Sequence, residues 1–175
     1  PSYRNSILSC AISDKFRLVV SGTSDGALLL SSLHSYKTFR VVPLRDHMQP
    51  DRILILNSWG FISVAESRVN EGLREFYLTI FNINGMEIRH IELRFEISAW
   101  VSVSSKRGFD FILCASTDGK VYMFEAFYAK IGYPIIDAGE SVISLAYLPL
   151  SSIIVVVTKT KVLIAPYILD DSKIE

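Results

Sequence analysis

The sequence is short of the features that would make it reactive, cross-linked or strongly charged. It holds two cysteines, Cys10 and Cys114, in 175 residues, too few for a disulfide framework. Both lie in apolar strings, "ILSCAI" and "FDFILCAS", and read as inert buried thiols of a reducing compartment. In the first string Leu8, Cys10 and Ile12 alternate onto one apolar face. No sign of charge dominates, with 18 Lys+Arg against 18 Asp+Glu. That balance lacks the basic surplus of a nucleic-acid binder and argues against simple electrostatic docking on anionic lipid. Apolar runs stop at strand length, as at Ile153–Val157, so no membrane span is expected. The chain opens at Pro1 without methionine or a signal-peptide pattern, which reads as a piece of a longer protein.

Recognisable reaction chemistry is also missing. His34, His47 and His90 are scattered, and none stands at ligand spacing from a second His, Cys or carboxylate. They read as ordinary surface or hairpin residues. "GTSDG" has neither the lysine nor the following helix of a phosphate loop. No serine sits in a G-x-S-x-G elbow, and neither cysteine has a visible base. No catalytic, cofactor-binding or metal-ligating residue is expected, and the chain does not read as an enzyme.

What is present is β-structure punctuated by glycine turns. Half the residues are apolar and 21% charged, a globular composition in a chain long enough to bury a core. "SGTSDGALLL" at Ser21–Leu30 returns as "ASTDGKVYMF" at Ala115–Phe124. An Asp-Gly step between apolar runs is a hairpin signal, because glycine accepts positive φ at little cost. Asp25-Gly26 and Asp118-Gly119 are therefore placed at hairpin tips, with Asn84-Gly85 at a third and Ser58-Trp59-Gly60 at a tight turn. Further strands are expected at Ile53–Asn57, Phe61–Ala65, Phe76–Ile83, Val142–Leu148, Ile153–Thr158 and Val162–Tyr167. In "MEIRHIEL" Ile88 and Ile91 stand three apart, which predicts a bulged strand. "ESRVNEGLRE" (Glu66–Glu75) reads as the one long polar loop. Long loops on rigid scaffolds often bind partners, but simple solvation is the plainer account. Trp59, in a turn, is a candidate partner contact, whereas Trp100 reads as core.

Ser24 and Thr117 are equivalent positions 93 residues apart, two periods of about 46, near the ~40–45 residues of a four-stranded propeller blade. Four such units fit, at roughly 3–44, 45–93, 94–137 and 138–171. The expected fold is all-β: a propeller segment of about four blades, part of a larger propeller. "AGESVISLAYLP" resembles the opening of a WD repeat, with Gly139 matching and Glu140 in the place of the histidine. "TDGKVYMFE" resembles its second half, with Phe124-Glu125 where Trp-Asp stands, and Ser31-Ser32 fill those places in the first unit. Asp25 and Asp118 match the aspartate of the repeat's His–Ser–Asp–Trp network by position, but no partner histidine is visible.

The strings "SGTSDGALLLSSLHSYKTFRVV", "SWGFIS", "LTIFNINGMEIRHIEL" and "FDFILCASTDGKVYMFEAF" are together similar to the carboxy-terminal propeller of BEACH-domain (beige and Chediak–Higashi) proteins. Gly60-Phe61-Ile62 and Asn84-Gly85 occupy the places of a G-x-I strand and hairpin in that family. The resemblance implies a cytoplasmic, non-catalytic scaffold of vesicle traffic, lysosome-related organelles or autophagy. It would bind other proteins, including upstream BEACH and PH-like domains of its parent chain, and would meet membranes only indirectly. The alternative is a phosphoinositide-binding propeller. Such proteins carry a paired arginine in a strand, and the arginines here, Arg40, Arg45, Arg68 and Arg74 among them, are all isolated.

Overall fold

The computed structural model describes residues 5–105, 107–127 and 133–167. Among these, β-strands dominate and the only helical element is a one-turn 3-10 segment, Arg45–His47. The chain divides into two compact units, Pro1–Arg94 and Phe95–Glu175.

The first unit holds two antiparallel meanders. Strands β1 (Ile7–Ser13), β2 (Leu18–Thr23), β3 (Ala27–Ser32) and β4 (Thr38–Pro43) form the first sheet, in chain order. Strands β5 (Gln49–Ile55), β6 (Ile62–Asn70), β7 (Leu73–Phe81) and β8 (Glu87–Leu93) form the second. Alternation puts Leu18, Val20, Leu28, Leu30 and Val42 on one face of the first sheet. They pack with Ile53, Ile62, Val64 and Tyr77 of the second, while Leu44 and Met48 of the connector plug the seam. Val20, Leu28 and Leu30 have no exposed surface, and side chains this size contribute about 1.5–3 kcal/mol each on burial.

The second unit repeats the plan. Strands β9 (Ile97–Ser104), β10 (Asp110–Ser116), β11 (Lys120–Glu125) and β12 (Ile136–Asp137) form one sheet; β13 (Val142–Leu148), β14 (Ile153–Thr158) and β15 (Val162–Pro166) form another. Its core joins Ala99, Phe111, Leu113 and Val121 to Val142, Leu145, Ile154 and Val156. Every residue of β10 is buried, as befits a strand covered on both faces. The last sheet has three strands among the described residues; the end of the unit expected at 138–171 lies outside them.

Several expectations need correction. Cys114 is buried but Cys10 is exposed, and so are Leu8 and Ile12, at 45% and 64%. Cys10 and Ile12 alternate as expected while the register shifts at Leu8, and no described residue buries these side chains. Trp100 is half-buried, not core. Glu66–Glu75 is not a loop: β6 and β7 are nine-residue strands paired from Ile62↔Phe81 to Asn70↔Leu73. Only Glu71 and Gly72 turn, both with positive φ (50° and 82°), the requirement of a two-residue type I′ hairpin. In β8 the register slips between Ile80↔Arg89 and Phe81↔Glu87, a bulge at Ile88 that explains the broken alternation.

Candidate functional site

One hydroxyl closes the same hairpin in three sheets. The Oγ atom of Thr23 accepts from Ala27 N–H and donates to its carbonyl at 3.0 Å. Ser116 does the same with Lys120, and Thr158 with Lys161. Behind two of these hairpins stands the glycine that the repeat marked. Gly26 (φ 78°) and Gly119 (φ 92°) complete three-residue loops, their N–H groups bonding Thr23 and Ser116 carbonyls at 3.1 Å. A Cβ on Gly26 would lie 2.7 Å from the backbone of His47, and one on Gly119 2.5 Å from the Glu140 carbonyl oxygen. The two spacings are identical, 47 − 26 = 21 and 140 − 119 = 21. Each tip glycine is thus a seat for the segment that leads into the next sheet.

The aspartates at the repeat positions make local contacts. Asp118 accepts from the Ser116 hydroxyl and pairs with Lys120 at 3.2 Å, which together hold its carboxyl below the usual aspartate range. Asp25 is exposed at its tip. Glu140, where a WD repeat has histidine, accepts from Thr158 Oγ1 at 2.6 Å and from the Thr160 hydroxyl. A carboxylate here ties its own hairpin, with its pKa lowered first by the Thr158 bond. Asn84-Gly85 sits in a turn whose Asn82 Oδ1 accepts both Asn84 N–H and Met86 N–H, at 2.9 and 3.0 Å.

The richest side-chain cluster lies where the loop was expected. Pairing of β6 with β5 ends at Ser67↔Gln49, and pairing of β7 with β8 begins at Phe76↔Leu93, so the β6–β7 hairpin projects beyond both flanking strands. Cross-strand partners Arg68 and Glu75 meet at 2.5 Å; Arg68 also donates to Asp46 at 2.8 Å. Glu75 accepts in addition from Asn70 and Tyr77, at 2.9 and 2.8 Å. These three donors, Asn70 first, hold its carboxyl at about 2. Tyr77 in turn stacks on His90 at 4.9 Å, and His90 Nδ1 meets Thr79 Oγ1 at 2.8 Å. Beyond this root the tip carries Val69 and Leu73, each 74% exposed.

Beside the root is an open hollow of about 550 Å³ lined by Asp46, His47, Gln49, Ser67, Arg68 and Arg74. Asp46 and His47 are consecutive non-glycine residues with positive φ (48° and 53°), a conformation that costs of order 1–3 kcal/mol each and collects at binding sites. Gly26 is the seat beneath His47, so one predicted residue lies at the base of a site that the sequence did not reveal. Buried below is Glu66, 2% exposed, with Oε1 unpartnered. Burial raises its pKa to about 8 against a hydrogen bond from Thr79, so it is protonated at neutral pH. The arginines nearby are engaged: Arg45 with Glu87 at 2.5 Å, Arg68 with Glu75 and Asp46. Arg74 reaches Ser67 at 3.2 Å and lies over the Phe76 ring.

Trp59 is 64% exposed in the β5–β6 turn, braced by Lys15 Nζ on the Asn57 carbonyl at 2.6 Å. It lies at the opposite end of β6 from the hairpin tip, roughly 26 Å away at about 3.3 Å per residue. The two are separate surfaces. Among the described residues no group of three His, Cys, Asp or Glu is placed to hold a metal, and no helix is long and apolar enough to cross a membrane.

No family model matches the chain, and no curated protein does. Solved structures do match. The computationally designed Ika4 protein superposes with a TM-score of 0.67 at 15% identity, over 95% of this chain and 94% of that one. The designed Ika8 protein gives 0.63 at 15% identity, over 93% and 46%. The Cps50 (Swd1) β-propeller domain of Myceliophteria thermophila gives 0.67 at 9% identity, over 92% and 51%. The chain thus spans about half the length of the latter two. At such identities the likeness establishes the fold, an all-β propeller architecture, and nothing finer.

Proposed function

We propose that this chain is a non-catalytic protein-interaction scaffold whose binding element is the β6–β7 hairpin. One observation carries the reading: two nine-residue strands continue past their sheet, and their apolar tip, Val69 and Leu73, is held out over a braced polar root. A sheet needs no such extension for its own core. An apolar centre in a polar rim is the usual composition of a protein contact. The finer form of the proposal is a scaffold of the BEACH-protein type, with partners among the proteins of vesicle traffic; it is supported by the sequence strings quoted above. Phosphoinositide binding is disfavoured because Arg45 and Arg68 are already matched to carboxylates.

The test compares the full chain with Val69→Asp/Leu73→Asp as affinity baits, using quantitative mass spectrometry, with circular dichroism to confirm the fold. A specific set of proteins should fall at least tenfold on the variant. Retention of every captured protein by the variant would refute the hairpin as the binding element. Selective retention on vesicles containing phosphoinositide, absent on neutral ones, would favour the lipid reading.

A further inference from the structure

The hollow beside the hairpin root exists because one strand stops early. The β5–β6 ladder runs through Pro50↔Glu66 to Gln49↔Ser67. Two residues further on, the same register would set His47 opposite Val69. It does not, because Asp46 and His47 take positive φ, which an extended strand does not allow. The connector turns off to rest on Gly26, whose added Cβ would lie 2.7 Å from His47 Cα. The β6–β7 pairing meanwhile continues to Asn70↔Leu73. In a two-residue hairpin the pair next to the turn exchanges both hydrogen bonds, and backbone groups then alternate in direction along each strand. Asn70 and Arg68 accordingly bond across to β7, while the N–H and C=O of Val69 point to the side that β5 has left. Val69, Ser67 and Gln49 line the hollow there. A strand edge thus lies open at one residue beside a cavity of about 550 Å³, within the ~300–1,000 Å³ usual for ligand sites.

We propose, building on the hairpin as the binding element, that the hollow takes an extended acidic segment of a partner protein. The segment adds beside β6 at Val69 as a short strand and sets an Asp or Glu carboxylate on Arg74. Two observations select this occupant. The first is the open edge: a backbone N–H and C=O side by side are satisfied by another extended backbone, which a lipid headgroup does not offer. The second is charge. Arg68 is already held by Asp46 at 2.8 Å and by Glu75. Arg74, opposite Val69 in the ladder, stands 3.5 Å from Asp51, a longer and weaker contact. Its guanidinium lies over the Phe76 ring, and a stacked guanidinium keeps its planar N–H edge for a bidentate carboxylate. Val69, with its side chain 74% exposed, supplies an apolar contact beside that charge.

Random octapeptides displayed on phage and selected on the full chain should enrich an Asp or Glu among β-branched residues, without a central proline. A synthetic peptide of the enriched sequence should bind about tenfold more weakly to Arg74→Met. Replacing its acidic residue by the matching amide should weaken binding to the unmodified chain to the same degree. Methylating the peptide's backbone nitrogens one at a time should weaken binding at alternate positions, the mark of a strand paired along one edge. Failure to enrich acidic sequences would overturn the proposal. So would binding that survives Arg74→Met, or that no backbone methyl weakens. Arg74-dependent retention on anionic vesicles, with no peptide enriched, would assign the hollow to a lipid headgroup instead. If captured proteins are lost on Val69→Asp/Leu73→Asp but kept on Arg74→Met, the hairpin still binds and only the acidic strand is refuted.

Discussion

Two glutamates on neighbouring strands, Glu66 and Glu75, are pushed in opposite directions. Glu66 is raised from 4.5 to about 8 by burial. The folded chain therefore keeps a proton that the unfolded chain loses above pH 4.5. Its contribution is fully present below 4.5 and is lost as pH rises through 8, with a limiting slope of about 1.4 kcal/mol per pH unit. Glu75 is lowered to about 2 by Asn70, Arg68 and Tyr77, so its contribution is present above pH 4.5 and is lost as pH falls toward 2. Denaturant melts at a series of pH values should show that Glu66→Gln flattens the decline between pH 5 and 8. Glu75→Gln should flatten the acid side. An unchanged alkaline slope in Glu66→Gln would show that this carboxyl is charged when folded. Glycine offers a second comparison at the same scale. Gly26→Val and Gly119→Val force a β-branched residue to positive φ and push Cβ into neighbouring backbone, and should cost roughly 1–3 kcal/mol or more. Gly72 has the same φ sign with nothing within 4 Å, so Gly72→Ala should cost less in the same melts. The Asp-Gly signal made Gly26 and Gly119 readable in the sequence. Glu66 was not readable, because a glutamate in a polar string gives no local sign that another sheet will cover it.

At the scale of elements, the β6–β7 hairpin shows what periodicity cannot see. Its outer half, Ser67 to Glu75, carries little apolar alternation, so it reads as a loop. The information lies in pairing across the turn: Arg68 faces Glu75, and Asn70 reaches the same carboxylate. Charged pairs opposite one another across strands stabilise a ribbon by a few tenths to about 1 kcal/mol. Glu71-Gly72, at the centre of that pairing, was the available signal. Arg68→Met should therefore loosen the tip selectively, with faster amide exchange at Val69–Leu73 and unchanged protection in β2 of the same unit. Uniform loss of protection would show that Arg68 supports the whole unit instead. Strand β1 shows a related limit. Alternation places Leu8, Cys10 and Ile12 on one side of the sheet; Cys10 and Ile12 keep that register, but it shifts between Ile7 and Ser9, at Leu8. Whether that side meets protein or water depends on what packs there, which no local pattern encodes.

For the molecule as a whole, the 93-residue repeat was enough to announce blade-like sheets, and the likeness to Ika4, Ika8 and Swd1 agrees with it. Partner identity was out of reach, since it resides in the chemistry of a tip such as Val69–Leu73, not in the repeat. The same regularity bears on how the chain is made. Gly26 and the residue that packs on it, His47, are 21 residues apart, as are Gly119 and Glu140. A ribosome adding about 5–20 residues per second needs roughly one to four seconds to cover that distance, whereas a hairpin closes in about 1–10 μs. Each glycine seat is therefore set long before the backbone that rests on it has been synthesised. Within each unit the first sheet therefore offers an already shaped template to the segment that opens the second, and that step runs in the direction of translation.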